Sequence, residues 1–491
     1  MSRKKKQRIT MVLALLCLIV AGVGYVASSR YAKQKEEKEA ARTEEDDAIE
    51  LYSYDEDSVA EITFKNAKAE MTIVCEDETW YKKDDKEFPL DQKIAGTMAS
   101  QVSTMISTKL VAKDCENLAD YGLDSPALTI TLTTADGSQV TLMLGEKSTA
   151  ADGYYAYTSL SDTVYILTTS VYTSYDYTES QLIEIEDAPS ITADYITQLH
   201  VESKDGTTEF EAAYDEKDAV FKDIYGWDIR KPFKETVAGD IYALSELFAN
   251  YTSLSYTQCE DYTGRHDKKY GLKKPSWVID VDYYEVQPDA EAEAAGEEAE
   301  EIHIPYTYQL LVGDKDSSGE YYYVRPSDSK RVYLMEASVV ENMVQIDAMK
   351  YIYANIYIGT VYSLNEIDME VGGESYHMEL TKEDVPSDEE DKSEVSFTAK
   401  INGKEVDEEA FRLAYGSAGT LSYSGVIDES VDADDTPYCT VTMHEEKRDV
   451  TISFLPYKKN SYRVNVDGTQ LFITDKAAVD SFVKGFTDLV K

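Results

Sequence analysis

The sequence predicts a β-rich α+β protein in which tandem repeated units of antiparallel sheet, each with a packed helix, follow one transmembrane helix. Three observations support this prediction. A segment from a tryptophan through a helix to a Tyr-Gly-Leu turn occurs twice. The stretches after both turns alternate apolar and polar residues, as half-buried strands do. Residues 9–27 form an apolar run without charge. Such internal repetition is typical of scaffolds whose units bury their cores together.

The N-terminal apolar run is long enough to cross a bilayer. Residues 9–27, as a helix rising about 1.5 Å per residue, reach roughly 28 Å. The basic cluster before it places the N-terminus in the cytoplasm by the positive-inside rule. We therefore expect residues 1–29 to be a basic tip and a single-pass anchor in the cell membrane, with the C-terminal part extracytoplasmic. A cleaved signal peptide, with residues 27–29 as its cleavage site, is the alternative.

A charged stalk and a first repeat unit are expected next. Residues 30–50 contain Lys and Glu four positions apart, which favours an exposed helix, and a disordered linker is the alternative. Repeat unit 1 is assigned to residues 51–187. Two antiparallel strands should meet near Asn66. Asp91 is a suitable N-cap for a helix that we predict to run to Leu110.

The second unit follows the same order with one addition. Repeat unit 2 is assigned to residues 188–350, and its helix is predicted to begin near Thr236. Residues 286–303 are rich in Glu and Ala and have no counterpart in repeat unit 1. We predict that this insertion is a low-complexity acidic loop.

The third unit is predicted to be degenerate. Residues 351–491 repeat the later strands of the pattern, and residues 477–489 form a closing helix. No Trp-to-Pro segment is found there. Residues 411–416 resemble only faintly the helix and turn of the other units. We therefore expect only the second half of the pattern in repeat unit 3.

Composition argues against nucleic acid and against metal sites. The net charge is −46, with 94 acidic against 48 basic residues, so the chain repels nucleic acid. The cysteines show no CxxC spacing, and we expect buried free thiols. The five histidines, including His377 and His444, stand apart in the sequence without metal-ligand spacing. No cofactor, metal or nucleic-acid partner is predicted.

The repeat has a signature of equivalent residues. Tyr121 follows its tryptophan by 41 residues, and Tyr270 follows its tryptophan by 43. A glycine at the end of a later strand completes each copy. The signature residues, to which we assign a structural role, are Trp80, Tyr121, Gly122, Leu123, Pro126 and Gly145 in the first copy, and Trp227, Tyr270, Gly271, Leu272, Pro275 and Gly313 in the second.

This signature resembles the bacterial domain-of-unknown-function family 4340. The resemblance covers roughly residues 60–345, and Val312 replaces the leucine that precedes the glycine in the first copy. It implies an envelope protein with one N-terminal membrane segment, often encoded near gliding-motility-type ABC transporters. It therefore implies membrane association and ABC transporter subunits as partners. The resemblance implies no catalytic residues.

Tyrosine is unusually frequent, with 39 residues against 12 phenylalanines. Tyrosine suits half-buried sheet faces, where the ring packs and the hydroxyl stays hydrated. The alternative is an aromatic platform for a glycan or peptide. Its candidate ligand-facing residues are Tyr154, Tyr155, Tyr157, Tyr321, Tyr322 and Tyr323.

The sequence lacks the common catalytic motifs, including a nucleophile elbow and a phosphate-binding loop. We therefore expect a non-enzymatic, membrane-anchored extracytoplasmic binding or accessory protein that associates with an ABC-type transporter. An envelope hydrolase acting on glycan or peptide, or a glycan-binding surface protein, is the alternative.

Overall fold

The structure is a computed structural model that describes residues 48–107, 109–149, 151–215, 217, 226–288, 301–386, 393–428 and 436–491. The predicted anchor at residues 9–27 and residues 30–47 of the predicted stalk lie outside these ranges. In the part of the chain that is described, no helix is both long and apolar enough to cross a membrane. The fold is β-rich α+β, with four antiparallel sheets and few helices.

Contacts within the chain separate two compact units. Among the described residues, the first comprises residues 48–186 together with 258–262, and the second comprises residues 187–257 and 263–491. The first unit therefore contains one segment that is distant in sequence from the rest of it.

The first compact unit contains an eight-stranded sheet, a two-stranded sheet and two helices. Its elements are β1 (Ile49–Ser53), β2 (Val59–Lys65), β3 (Glu70–Glu76), β4 (Thr79–Lys82), α1 (Gln92–Ser103), β5 (Thr104–Ser107), β6 (Lys109–Ala112), β7 (Leu128–Thr134), β8 (Gln139–Lys147), β9 (Tyr154–Thr158), β10 (Ser161–Leu167) and α2 (Thr169–Thr173). The large sheet has the order β4-β3-β2-β7-β8-β9-β10-β6, and β1 pairs with β5. The predicted hairpin near Asn66 is confirmed, because β2 and β3 flank that residue.

Helix α1 begins as predicted but ends seven residues early. The side chain of Asp91 accepts hydrogen bonds from the backbone N–H groups of Lys93 and Ile94, which caps the helix. The prediction that the helix continues to Leu110 is wrong. Strands β5 and β6 occupy that stretch, which contains β-branched residues, and β5 gains ladder hydrogen bonds to β1. Because Ile49 and Glu50 already belong to β1, the predicted stalk also ends two residues early.

Residues 258–262 join the first compact unit from far along the chain. Their strand, β15 (Gln258–Asp261), is numbered by its place in the sequence. The Tyr262 hydroxyl donates a hydrogen bond to the carboxylate of Asp85, and the Tyr262 ring packs edge-on against Phe88 at 5.3 Å. Gln258 donates to the Ser180 hydroxyl at 3.1 Å. This short segment is thus held by both polar and aromatic contacts.

The second compact unit begins with a sheet of the same design. Its elements are β11 (Ile196–Ser203), β12 (Thr208–Tyr214), β13 (Trp227–Lys231), β14 (Val237–Ala238), α3 (Ile241–Phe248), β16 (Trp277–Pro288), β17 (Glu301–Lys315), β18 (Tyr321–Pro326), β19 (Val332–Glu336) and α4 (Ala337–Val344). Within this unit the strand order is β14-β13-β12-β11-β16-β17-β18-β19. The helix predicted from Thr236 begins at Ile241 instead. The side chain of Asp240 caps it, and Val237 and Ala238 pair with β13.

The acidic insertion is only partly a loop. Residues 286–288 extend β16, and β17 begins at Glu301, so the flanks of the predicted loop are paired strands. Residues 289–300 lie outside the described residues. Strand β17 extends because Ile302 and Ile304 continue its alternation of apolar and polar residues, paired with β16.

A complete third sheet follows. Its elements are β20 (Leu364–Val371), β21 (Glu374–Pro386), β22 (Ser393–Ile401), β23 (Lys404–Val406), α5 (Glu408–Gly416), β24 (Tyr423–Val426), β25 (Cys439–Glu445), β26 (Asp449–Pro456), β27 (Ser461–Val466), β28 (Thr469–Asp475) and α6 (Lys476–Thr487). Their order is β23-β22-β21-β20-β25-β26-β27-β28-β24. The expectation that only the later half recurs here is wrong. Strands β20, β21 and β22 bury Ile367, Met378 and Ala399 without the signature residues of the other units.

The three large sheets share one topology. In each, two meanders lie side by side with their first strands adjacent: β2 beside β7, β11 beside β16, and β20 beside β25. The first meander has three strands in the first sheet and four in the other two, and the second meander has four strands in all three. One helix lies between the two meanders in sequence and another follows the second. The inward-facing apolar residues form the cores. In the third sheet Phe411, Phe454, Phe482 and Phe486 are fully buried there.

Candidate functional site

The signature residues build a turn against a strand. Gly122 and Gly271 adopt positive φ values of 68° and 75°, which favour glycine. A Cβ atom on Gly145 would lie 2.1 Å from the carbonyl oxygen of Tyr121, and one on Gly313 would lie 2.0 Å from that of Tyr270. The turn thus approaches the strand so closely that only glycine fits.

The other signature residues are buried or precede the second meander. Leu123, Leu272, Trp80 and Trp227 are buried. Pro126 and Pro275 each lie two residues before the first strand of the second meander, β7 or β16. In the third sheet the residue in register with Gly145 and Gly313 is Leu455. The signature therefore explains structure in the first two sheets.

The candidate tyrosines divide between the two faces of their strands, as successive strand residues must. Tyr154 stacks on Tyr172 at 4.7 Å, Tyr155 packs edge-on against Tyr121 at 5.0 Å, and the Tyr157 hydroxyl donates to Asp162. In β18, Tyr322 is buried against Trp277, Tyr323 packs on Tyr270, and the backbone N–H of Tyr321 donates to Asp316. Most of these rings thus pack against side chains of the same repeat unit, and the ligand-facing role stays a prediction.

An apolar cleft of about 260 Å³ lies within the second compact unit. Strand β14 and residues 352–358 form one wall, and the inner face of β26, β27 and β28 forms the other. The lining is mostly aliphatic and aromatic. It includes Val237, Ala238, Ile352, Ile356, Tyr357, Ile358, Tyr423, Val450, Val464, Val466, Leu471 and Phe472. Since an apolar cavity of about 150 Å³ holds benzene, this cleft has room for a larger ring-sized group.

A small polar cluster stands beside this apolar lining. The Tyr357 hydroxyl donates to Glu445 Oε1 at 2.7 Å, and Arg448 Nε donates to Glu445 Oε2 at 3.2 Å. Arg448 also lines the cleft, with half of its side chain exposed. Its guanidinium therefore offers further N–H donors to a bound anion.

The phenols of the cleft are neutral at ordinary pH. Burial, together with the neighbouring Tyr415 and Glu445, raises the pKa of Tyr357. Burial also raises the pKa of Tyr423 to about 12. These hydroxyls therefore act as hydrogen-bond donors and acceptors rather than as charges, and Arg448 is the positive group of the lining.

A histidine–carboxylate network lies on the outer face of the third sheet. Asp368 on β20 is bonded through one oxygen to His377 Nδ1 at 2.7 Å and through the other to His444 Nε2 at 3.1 Å. His444 Nδ1 is 2.9 Å from Asp449 Oδ1. These two histidines stand apart in the sequence, but strand pairing brings both of them to one carboxylate.

The network shifts the pKa values of its members. The hydrogen bond that His377 donates to the Asp368 carboxylate raises the pKa of His377 above its ordinary value, and burial opposes this only in part. Burial alone lowers the pKa of His444, but the bonds to Asp449 and Asp368 outweigh it and raise that pKa. The bond to His377 lowers the pKa of Asp368.

The histidine network should make folding stability depend on pH. Groups whose pKa is raised on folding stabilise the folded state below their unfolded pKa, and this contribution is lost as pH rises through the folded value. The difference in urea midpoint between the wild type and a His377→Gln/His444→Gln variant should therefore be larger at about pH 5.5 than at about pH 8.5. Taking this difference cancels the pH response of the other acidic residues. An equal difference at both pH values would contradict the role of the network.

None of the four described cysteines forms a disulfide. Cys259 and Cys439 are buried as expected, whereas Cys75 and Cys115 are half-buried. Burial raises the pKa of the Cys439 thiol to about 12, so this thiol is inert at physiological pH.

Comparison with known proteins gives one family. The family model described as "Domain of unknown function (DUF4340)" matches residues 80–275 and 227–408. The two matches begin at the signature tryptophans Trp80 and Trp227, and they confirm the resemblance read from the Tyr-Gly-Leu signature. No curated protein and no solved structure matches the chain.

Proposed function

The chain belongs to the DUF4340 family, and on that premise we propose that it is a non-enzymatic, membrane-anchored extracytoplasmic binding or accessory protein. Its ligand would occupy the cleft of the second compact unit. The observation that carries this proposal is the apolar lining beside one available guanidinium. A concave, mostly apolar site with few polar groups is typical of small-ligand binding.

The cleft chemistry favours one ligand class. The apolar walls favour a ligand with a compact apolar group, and Arg448 favours a single anionic group next to it. Asp467, the one carboxylate in the described lining, already accepts a hydrogen bond from the backbone N–H of Thr451 at 2.8 Å. Hydrolysis of glycans usually needs two carboxylates, and peptide hydrolysis needs a nucleophile beside a base or a metal-activated water. The lining therefore supports binding better than it supports the hydrolase alternative.

A fluorescent probe tests the cleft. We expect the full-length protein in detergent to bind 1-anilinonaphthalene-8-sulfonate, an aromatic body with one sulfonate. Val466→Trp should fill the cleft, and Arg448→Gln should remove the anion's partner. Each should weaken the affinity for the probe about tenfold. For Arg448→Gln this corresponds to the loss of one charge-assisted hydrogen bond, which is worth about 1.5 kcal/mol.

The matched control is Lys458→Gln, which removes an exposed positive charge from the same sheet outside the cleft. It should leave probe affinity unchanged. The cleft is not the binding site if all three variants bind the probe as the wild type does while retaining wild-type unfolding midpoints.

Membrane anchoring and the transporter partnership belong to the same proposal. The apolar run at residues 9–27 supports the anchor. The family resemblance supports association with ABC transporter subunits. Mild crosslinking in the native membrane, followed by purification of the full-length protein, should recover those subunits; recovery of this chain alone would count against the partnership.

A further inference from the structure

The hairpin of β16 and β17 extends beyond the rest of its sheet. The pairing of β16 with β11 stops at Tyr283, whereas its pairing with β17 continues to Pro288. On the other side, β18 pairs with β17 only from Leu310 onward in the described residues. We call residues 284–288 and 301–307 the arm.

One face of the arm continues the inward face of the sheet. Along β17 the buried residues Leu310 and Tyr308 are followed at intervals of two by Tyr306, Ile304 and Ile302. Tyr306 is 40% exposed and Ile302 is 46% exposed. The row of apolar side chains that is buried along the rest of β17 is thus exposed to solvent on the arm.

The opposite face of the arm is braced by aromatic stacking. Tyr195, which precedes β11, stacks on Tyr284 at 4.9 Å, and Tyr284 stacks on His303 at 4.2 Å. Because these rings connect both strands of the arm to the body of the sheet, the arm is held in a fixed orientation. The apolar stripe of this arm, in which Ile302 and Tyr306 are exposed and Ile304 is half-buried, is therefore held on a braced support.

The edge of the arm is less suited to binding than its face. Pro305 lies in β17 and has no N–H group to donate to an added strand. Prolines on edge strands suppress edge-to-edge pairing. A partner would consequently meet the side chains of the apolar face.

Charge indicates what kind of partner would cover this face. Glu285 lies directly opposite Ile304, and Glu301 lies at the end of β17. The chain as a whole carries a net charge of −46. A second copy of this chain or an anionic lipid surface would be repelled by these charges.

We propose that the arm is a docking surface for a partner protein that presents an extended basic segment with interleaved apolar side chains. The apolar side chains cover Ile302, Ile304 and Tyr306, and the basic side chains meet the carboxylates of Glu285 and Glu301. Electrostatic complementarity of this kind sets specificity and association rate, while a few buried aromatic and aliphatic groups supply most of the affinity.

A defined peptide tests the surface without knowledge of the partner. The probe is a labelled twelve-residue peptide that alternates Lys with Leu, titrated by fluorescence anisotropy into the full-length protein in detergent. The variant is Ile302→Ser/Tyr306→Ser. It should weaken affinity about tenfold or more, since truncation of anchor residues commonly has effects of that size. The matched control, Leu413→Ser, removes an apolar side chain that is 73% exposed on α5 and should have no effect.

The alternatives give distinct results. Equal affinity of the arm variant and the wild type would overturn the proposal, as would equal binding of a peptide with Glu in place of Lys. Self-association lost in the arm variant would identify a second copy as the occupant, and arm-dependent binding to phosphatidylglycerol vesicles would identify a membrane; either contradicts a basic protein partner. Binding of 1-anilinonaphthalene-8-sulfonate at the cleft should not change in the arm variant, so the outcome is independent of the proposed cleft function.

Discussion

Replacing Gly145 or Gly313 with alanine is expected to lower the free energy of unfolding by about 3 kcal/mol or more. The added methyl group would stand about 2 Å from a backbone carbonyl oxygen, of Tyr121 in one case and Tyr270 in the other. A backbone atom fixed in a turn moves less readily than the end of a flexible side chain. The turn would have to leave the sheet, and Leu123 or Leu272 would lose its buried position. Urea unfolding followed by tryptophan fluorescence measures the loss.

The same substitution at Gly96 provides the control. This residue lies inside α1, and a Cβ atom there would meet nothing within 4 Å. Because glycine in a helix is less favourable than alanine by about 0.5–1 kcal/mol, Gly96→Ala should stabilise the protein. If Gly145→Ala were tolerated as well as Gly96→Ala, the close approach of the turn would not be a structural requirement.

Replacing Phe411 with alanine is expected to destabilise the protein by about 3–5 kcal/mol, the usual cost of removing a buried aromatic ring. Phe411 lies on α5 and is fully buried in the third sheet's core. Its ring packs edge-on against Phe397 on β22 at 5.7 Å and against Phe486 on α6 at 5.5 Å. Its loss therefore leaves a cavity between the sheet and both helices. The urea midpoint should fall accordingly.

Leu413 on the same helix is the matched comparison, because it is mostly exposed. Leu413→Ala should change stability by less than about 0.5 kcal/mol, as surface substitutions usually do. Similar effects of the two substitutions would mean that α5 does not pack as described. A large effect of Phe411→Ala alone would establish that the helix between the two meanders is integral to the third sheet.

Much of the fold could be predicted because local signals were strong. Asp136 and Gly137 mark the hairpin of β7 and β8, and Gly137 has the positive φ of 90° that such turns use. The end of α1 was missed because its apolar period of four continues through Ile106 and Leu110, whereas distant pairing with β1 decides the structure. The first half of the third sheet was not predicted because its core contains Met378 and Ala399, and it lacks the signature residues that mark the other copies.

The candidate site could not be predicted in the same way. The cleft joins β14, residues 352–358 and strands of the third sheet, and more than a hundred residues separate β14 from the other two. None of these segments carries a motif by itself. Arg448 lies in a charged stretch of sequence without any motif, and only the fold places it beside the apolar walls of the cleft. The pairing of His377 with His444 likewise depends on the lateral order of β21, β20 and β25.

The placement of residues 258–262 in the first compact unit has a consequence for vectorial synthesis. A chain that leaves the ribosome from its N-terminus exposes Asp85, Phe88 and Ser180 long before Gln258 and Tyr262 follow. Domains generally fold as they emerge. Here the first unit acquires its last contacts only after much of the next sheet has been made. Folding of the first unit is therefore completed only after residues 187–257, which belong to the second unit, have been synthesised.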